Sequence, residues 1–312
     1  MRTKSIVFYI IAMPLLAAGC AGNEAKVAKI SDAIIKESAT YSEFSSDKIT
    51  SLVSEFRPEY LDEKILKTYS DRTVIRFYEA LMDATSEHPE DAIHVQMQKN
   101  VLEEKLRRKK AHDHDLSEML MTYLSARNLD QAAAFRNRFP NTQLPMVPEI
   151  ISSTATPQST LWNVYDISDG GKKAQLRALP MGTGPQIVMI MLTGCSAGET
   201  AMSDILADAE FGPLFRKHGT VITNKFDSQG ISMWQDYFKF PGVYIISKKS
   251  AFPNFKFDNS PQFYFLKDGK IISEQLGWGR DNRKPESMTK FRKGLQSIIG
   301  VPETSTISKP QT

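Results

Sequence analysis

The first half of the chain carries apolar residues at the three- and four-residue spacing of amphipathic helices. The clearest runs extend from Ile49 to Phe56, Val74 to Met82, Ile93 to Val101 and Leu116 to Leu124. Prolines interrupt the pattern at Pro58, Pro89 and Pro140, where a helix is expected to end. The pattern predicts an all-α domain over residues 20–140, whose first residue is Cys20.

The second half of the chain carries the short apolar segments that are typical of β-strands. The segments LWNVYDI and KAQLRAL flank the turn residues SDGG, and QFYFL and KIISEQL flank Asp268 and Gly269, so two β-hairpins are predicted. Residues 187–192, IVMIML, form a continuous apolar run that is typical of a central strand covered on both faces. Further strands are expected at TVITN and VYIIS, with helices between them and a last helix from Met288 to Ile299. The pattern predicts an α/β domain over residues 161–300.

Residues 141–160 separate the two patterns. This stretch, NTQLPMVPEIISSTATPQST, is rich in proline, serine and threonine and has no hydrophobic periodicity, so it is predicted to be a linker. The C-terminal residues 301–312 have the composition of a disordered tail.

Composition and charge exclude several classes of protein. With 312 residues, 41% hydrophobic and 24% charged, the chain has the make-up of a folded protein of about two domains. The balance of 39 basic and 36 acidic residues provides no extended basic face, which argues against nucleic-acid binding. Two cysteines are too few for a disulfide scaffold.

The N-terminus has the features of a secretory signal. The basic start MRTK is followed by an apolar run from Ile6 to Leu16, which is shorter than a transmembrane span, and then by small residues, so residues 1–19 are predicted to be a signal peptide. The sequence LAAGC, which ends at Cys20, resembles the lipobox of bacterial lipoproteins. This resemblance implies cleavage before Cys20, acylation of Cys20 and attachment to the membrane. An ordinary signal peptide with a chance cysteine is the alternative.

The resemblance also bears on location. It implies a protein that faces the periplasm, or the outer surface of a bacterium with one membrane. Ala21 stands where an aspartate retains many lipoproteins in the inner membrane, so the outer membrane is expected.

A second resemblance covers residues 161–300. The segments IVMIMLTGCSAGET and DNSPQFYFLKDGKIISEQLGW place a cysteine after a buried strand and a proline before a hairpin. This arrangement is similar to the thioredoxin-like domain of the TlpA family, whose members are membrane-tethered thiol-disulfide proteins. The resemblance implies a thioredoxin-like fold, a cis peptide bond at Pro261 and a loop containing Ser260 and Pro261 that faces Cys195.

The sequence departs from that family at the second cysteine. A thiolate is the nucleophile in thiol-disulfide exchange, and a position at a helix N-terminus favours the thiolate of Cys195. A dithiol enzyme resolves its mixed disulfide with a cysteine three residues further on, where this chain has Gly198. The family's aromatic residue before the motif is also missing, since Thr193 and Gly194 stand there.

Three functional hypotheses therefore remain open. In the first, Cys195 is a monothiol that exchanges disulfides with a protein or small-thiol partner, with Ser260 and Pro261 beside it. In the second, the domain is a binding or scaffold module, and Cys195 behaves as a small hydrophobic residue. In the third, Cys195 reduces peroxide through a sulfenic acid.

No metal or cofactor is expected. His112 and His114 do not face each other on a helix, and the methionines around Cys195 are better explained by core packing than by Cu(I) binding. The basic run KLRRKK, residues 105–110, follows Glu103 and Glu104, so paired surface charges explain it as well as contact with anionic lipid does. No phosphate-binding glycine loop, Ser-His-Asp order or zinc spacing is present.

Overall fold

The computed structural model describes residues 12–40, 45–87, 89–151, 162–180, 182–257 and 259–299, with side chains from Gly22 onward except at residues 45–47, 61 and 87. The chain divides into two compact units, Met1–Pro145 and Met146–Thr312, here called the helical unit and the sheet unit. Residues 1–11 of the predicted signal peptide, the side chain of Cys20 and the predicted tail lie outside the described residues, while residues 12–19 belong to the first helix.

The helical unit is built from α-helices and one short 3-10 helix, Pro58–Leu61, within its described part. The helices are α1 Ala12–Ser38, α2 Ser45–Val53, α3 Glu63–Leu66, α4 Asp71–Glu87, α5 Ala92–Arg107, α6 Asp113–Ser125 and α7 Leu129–Arg138. The apolar runs predicted as helices correspond to α2, α4, α5 and α6, so the all-helical character of this half is confirmed. In the described part of the chain, no helix combines the length and the apolar character needed to cross a membrane.

The core of the helical unit contains polar groups that pair with each other. The Tyr78 hydroxyl donates a hydrogen bond of 2.7 Å to the Asp115 carbonyl oxygen. Lys105 Nζ lies 2.6 Å from an Asp115 carboxylate oxygen and 4.5 Å from the centre of the Tyr78 ring. Burial raises the pKa of Tyr78, because the phenolate would lose its hydration.

The basic run at residues 105–110 is paired within the helical unit. The Lys105 side chain is 3% exposed, so it is a buried charge and not the surface charge that the sequence predicts. Arg107 and Arg108 each approach a Glu104 carboxylate oxygen to 2.6 Å, and Lys110 lies 3.2 Å from Asp71. Pairing with acids therefore accounts for these four cations without a lipid partner.

The sheet unit contains eight strands and four α-helices in its described part. The strands are β1 Glu149–Ile151, β2 Trp162–Ser168, β3 Lys173–Leu179, β4 Pro185–Ile190, β5 Gly219–Thr223, β6 Val243–Ile246, β7 Gln262–Lys267 and β8 Lys270–Leu276. The helices are α8 Ser196–Ala207, α9 Phe211–His218, α10 Ser228–Phe238 and α11 Lys284–Ile299, and there are 3-10 turns at Lys249–Ala251 and Asp281–Arg283. The architecture of the chain is thus mixed α/β, with a helical first part.

The strands form one mixed sheet in the order β1-β3-β2-β6-β5-β4-β7-β8. Strands β4, β5 and β6 are parallel to each other, which requires the crossovers that contain α8 to α10. Strand β2 is antiparallel to β6, and β7 is antiparallel to β4. The two predicted hairpins are confirmed as β2–β3 and β7–β8, and the apolar run at 187–192 contains most of the central strand β4.

The two faces of the sheet are covered differently. On one face, Val188 and Ile190 of β4 join a buried cluster that includes the aromatic residues Phe252, Phe255 and Phe257. On the other face, α9 and α11 pack against β4, and Phe291 lies at the centre of a group of aromatic rings. Burial on both faces of the sheet explains why residues 187–190 of β4 are all apolar.

The predicted linker is partly structured. Glu149–Ile151 forms the edge strand β1, parallel to β3, inside the stretch 141–160 that the sequence assigns to a linker. Three residues are too few to show alternation, so their pairing depends on the tertiary contact with β3. The boundary between the two units falls between Pro145 and Met146.

Candidate functional site

Cys195 lies at the junction between the central strand β4 and helix α8. It is the N-cap residue of α8, with extended backbone angles of φ −83° and ψ 99°, and it is partly exposed. Gly194 before it has φ +82°, a left-handed conformation that glycine adopts without steric cost. This turn places Cys195 at the N-terminus of α8, and its side chain makes no hydrogen bond to the backbone N–H groups of the first helical turn.

The residues predicted to surround Cys195 are brought together by the loop before β7. The Ser260–Pro261 peptide bond is cis, the conformation that the family resemblance implies. Cys195 Sγ donates a hydrogen bond of 3.3 Å to the Ser260 carbonyl oxygen. The Ser260 hydroxyl oxygen accepts a hydrogen bond of 3.0 Å from the backbone N–H of Leu192. Backbone and side chain of Ser260 therefore join the loop to the segment that carries the cysteine.

The segment after β8 supports the same loop. The backbone N–H of Gly277 donates to the Pro261 carbonyl oxygen at 2.8 Å. Trp278 Nε1 donates to Asp204 of α8 at 2.9 Å, and Lys284 Nζ approaches the same carboxylate at 2.6 Å. The segment that follows β8 is thus bonded both to the cis-proline loop and to α8.

Two charged side chains lie near the first turn of α8. Arg280 is exposed and donates a hydrogen bond to the hydroxyl of Ser196, the residue after the cysteine. Glu199 accepts a hydrogen bond of 3.1 Å from Trp234 Nε1 of α10. The charge environment of Cys195 is therefore mixed.

Sequence reasoning did not assign a role to Arg280, Trp278 or Trp234. The motif GWGR at 277–280 follows the predicted second hairpin directly, and its paired glycines and tryptophan were the available signal. Their contacts with α8 join residues more than 30 positions apart, so sequence spacing does not reveal them.

Gly198 occupies the position of a resolving cysteine and is buried. A Cβ atom added there would lie 2.8 Å from Met191 Cγ, 3.2 Å from Met191 Sδ and 3.4 Å from Ser260 Oγ. The chain has two cysteines, and among the described side chains Cys195 is the one present. The described part of the site therefore holds a single thiol.

The other candidate ligands are explained by packing or by solvent. Met189, Met191 and Met202 are almost completely buried, as core packing predicts, while Met181 lies outside the described residues. His112 is the N-cap residue of α6, and the His114 side chain is exposed. No group of three or more histidine, cysteine, aspartate or glutamate side chains in the described ranges is arranged to hold a metal ion.

Comparison with known proteins adds little to this geometry. No protein-family model and no curated protein matches the chain. A solved structure of an uncharacterized conserved protein from Geobacillus kaustophilus aligns with 49% of this chain and 88% of that chain, with 11% sequence identity and a TM-score of 0.32.

Proposed function

We propose that the sheet unit is a thioredoxin-like domain that carries out monothiol disulfide exchange through Cys195. The observation that carries the proposal is the contact of the partly exposed Cys195 Sγ with the Ser260 carbonyl oxygen, next to the cis peptide bond at Pro261. The parallel strands β4 to β6, the helix that begins at the cysteine and the β7–β8 hairpin after the proline support the same assignment. The resemblance to the TlpA family is the basis for proposing thiol-disulfide exchange as the reaction.

The proposed exchange has two balanced steps. The Cys195 thiolate attacks one sulfur of a partner disulfide, so that a Cys195–partner disulfide forms as the partner's own S–S bond breaks and its second sulfur leaves as a thiolate. An external thiolate then attacks the partner sulfur of this mixed disulfide and releases Cys195. An external thiol is required because position 198 is glycine.

We also propose that the mature protein is tethered to a membrane through acylated Cys20 and faces the periplasm, with the outer membrane expected. The lipobox-like sequence LAAGC supports the anchor. The partner of Cys195 would then be a protein or small thiol of the cell envelope.

Trapping of covalent partners tests the exchange proposal. Since nothing within the domain can resolve a mixed disulfide, wild-type protein isolated from its native envelope under acid trapping should carry a ladder of reductant-sensitive adducts. The ladder should be absent from Cys195→Ala and should collapse when the wild-type sample is treated with dithiothreitol. The measurement is a non-reducing gel followed by identification of the partners.

Other outcomes of the same experiment favour the two alternatives. An absence of adducts in wild type, with a thiol that reacts only after denaturation, would reject exchange and favour the binding module. A thiol that traps no partner but forms a sulfenic acid with peroxide would reject exchange in favour of peroxide reduction.

A further inference from the structure

Helix α8 leaves no free space for a side chain at Gly198. The space that such a side chain would need is shared by Met191 and Ser260, whose nearest atoms lie 2.8 Å and 3.4 Å from an added Cβ. Cβ atoms essentially never come within 3.0 Å of another heavy atom, so a residue larger than glycine requires Met191 to move. The position that would carry a resolving thiol is therefore already filled by another side chain.

Met191 is poorly placed to make room. It follows β4 directly and is 0% exposed. Its backbone N–H donates a hydrogen bond of 3.1 Å to the Ile222 carbonyl oxygen, which fixes its main chain against β5. Its thioether side chain is flexible, but in a buried and close-packed environment any new rotamer displaces neighbouring atoms.

We propose that Met191 is a specificity-determining residue that keeps the site monothiol, because its side chain occupies the volume of a side chain at position 198. This inference rests on the proposed exchange function and concerns how the mixed disulfide is resolved. Two features prevent resolution of the mixed disulfide from within the domain. Position 198 has no thiol, and the Met191 side chain occupies the space that a cysteine side chain would need there. The second thiol must come from the partner or from a small thiol.

The test introduces a thiol at position 198 with and without Met191. In Gly198→Cys and Met191→Ala/Gly198→Cys, glutathione disulfide first forms a mixed disulfide with Cys195 and releases one glutathione. The introduced thiolate then attacks Cys195 Sγ, so that an internal disulfide forms and the second glutathione leaves. Because the single variant must overpack the core, internal closure should be about tenfold faster in the double variant. The reaction is run on the folded full-length protein. Acid quenching and mass spectrometry then measure the glutathione mixed disulfide and the internal disulfide over time.

The outcomes separate this inference from the exchange proposal. Equal closure rates in the two variants, or no closure in a double variant that folds, would overturn the role of Met191. These rates use glutathione disulfide and not a native partner, so they can support the steric inference even if wild-type protein traps no partner in the envelope. A wild-type protein without adducts would reject the exchange proposal alone.

A stability measurement keeps the inference testable if a cysteine variant does not fold. Alanine is a better helix former than glycine, so Gly198→Ala should stabilise α8 where space is free and destabilise it where Met191 is in the way. We expect Gly198→Ala to lower the urea midpoint of the wild-type chain and to raise that of Met191→Ala. If Met191→Ala does not fold, the change in urea midpoint that Gly198→Ala causes in the wild-type chain is sufficient to test the proposal. An unchanged or higher midpoint for Gly198→Ala in the wild-type chain would contradict the proposal.

Discussion

Replacement of Cys20 with serine is expected to release the protein from the membrane and to abolish its labelling with fatty acid. Each buried methylene of an acyl chain contributes about 0.8 kcal/mol to membrane binding, and stable anchoring requires more than one chain or a second signal. Serine lacks the thiol that the lipoprotein resemblance implies is acylated, so the Cys20→Ser protein should lose every chain at once. The measurement is fractionation of cells grown with labelled palmitate.

Cys195→Ser provides the matched control, since it makes the same chemical change at the other cysteine. It should leave both the membrane fraction and the fatty-acid label as in wild type. Recovery of Cys20→Ser in the membrane pellet with unchanged fatty-acid incorporation would reject the anchor.

Replacement of Phe291 with alanine is expected to cost about 3 to 5 kcal/mol of the free energy of unfolding of the sheet unit, the usual cost of truncating a buried aromatic residue. The Phe291 side chain is 0% exposed. Its ring centre lies 5.2 Å from that of Phe211, 5.3 Å from Phe263, 5.4 Å from Phe265 and 6.0 Å from Trp278. The cavity would therefore open where α9, α11 and the β7–β8 hairpin meet. Urea unfolding followed by tryptophan fluorescence measures this change.

Tryptophan fluorescence isolates the sheet unit, because Trp162, Trp234 and Trp278 are the three tryptophans of the chain and all lie in it. The control is Tyr237→Ala, which removes an aromatic side chain that is 76% exposed and should change stability by less than about 0.5 kcal/mol. A loss at Phe291 no larger than the loss at Tyr237 would contradict the assigned core.

The strands of the sheet unit were predictable because their signals are local. Both hairpins carry their turn residues between strand-forming segments, and Asp268 and Gly269 adopt the left-handed angles, φ 50° and φ 75°, that such a turn requires. The continuous apolar run of β4 follows from coverage of both sheet faces. The helices of the first half were likewise visible, since each predicted run spans about two turns or more.

The elements missed in the sheet unit are short, whereas in the helical unit the long helix α1, Ala12–Ser38, is not among the predicted runs. Strand β1, Glu149–Ile151, has three residues, and α9, Phe211–His218, has eight with Gly212 and Pro213 near its start. Neither is long enough to show a repeat, and both depend on packing against strands that are distant in sequence. Lys105 shows the same limit for charge: its burial beside Asp115 and Tyr78 follows from tertiary packing and not from the basic run.

The candidate site was only partly predictable for a related reason. The approach of Ser260 to Cys195 joins positions 65 residues apart, and the family resemblance predicts it where sequence spacing does not. Met191 and Gly198 are seven positions apart, but the short distance between Met191 and a Cβ atom added at position 198 depends on the tertiary packing of the two segments. The sequence shows a glycine at position 198 but does not show that Met191 occupies the space beside it.

The alkylation rate of Cys195 in the folded full-length protein tests the central claim most directly. The thiol is partly exposed at the start of α8, so iodoacetamide near neutral pH should modify it in the folded protein without any denaturant. Mass spectrometry should locate the modification at Cys195, since the acylation proposed for Cys20 leaves no second thiol to react. A thiol that is protected in the folded protein and reacts only after denaturation would contradict the account.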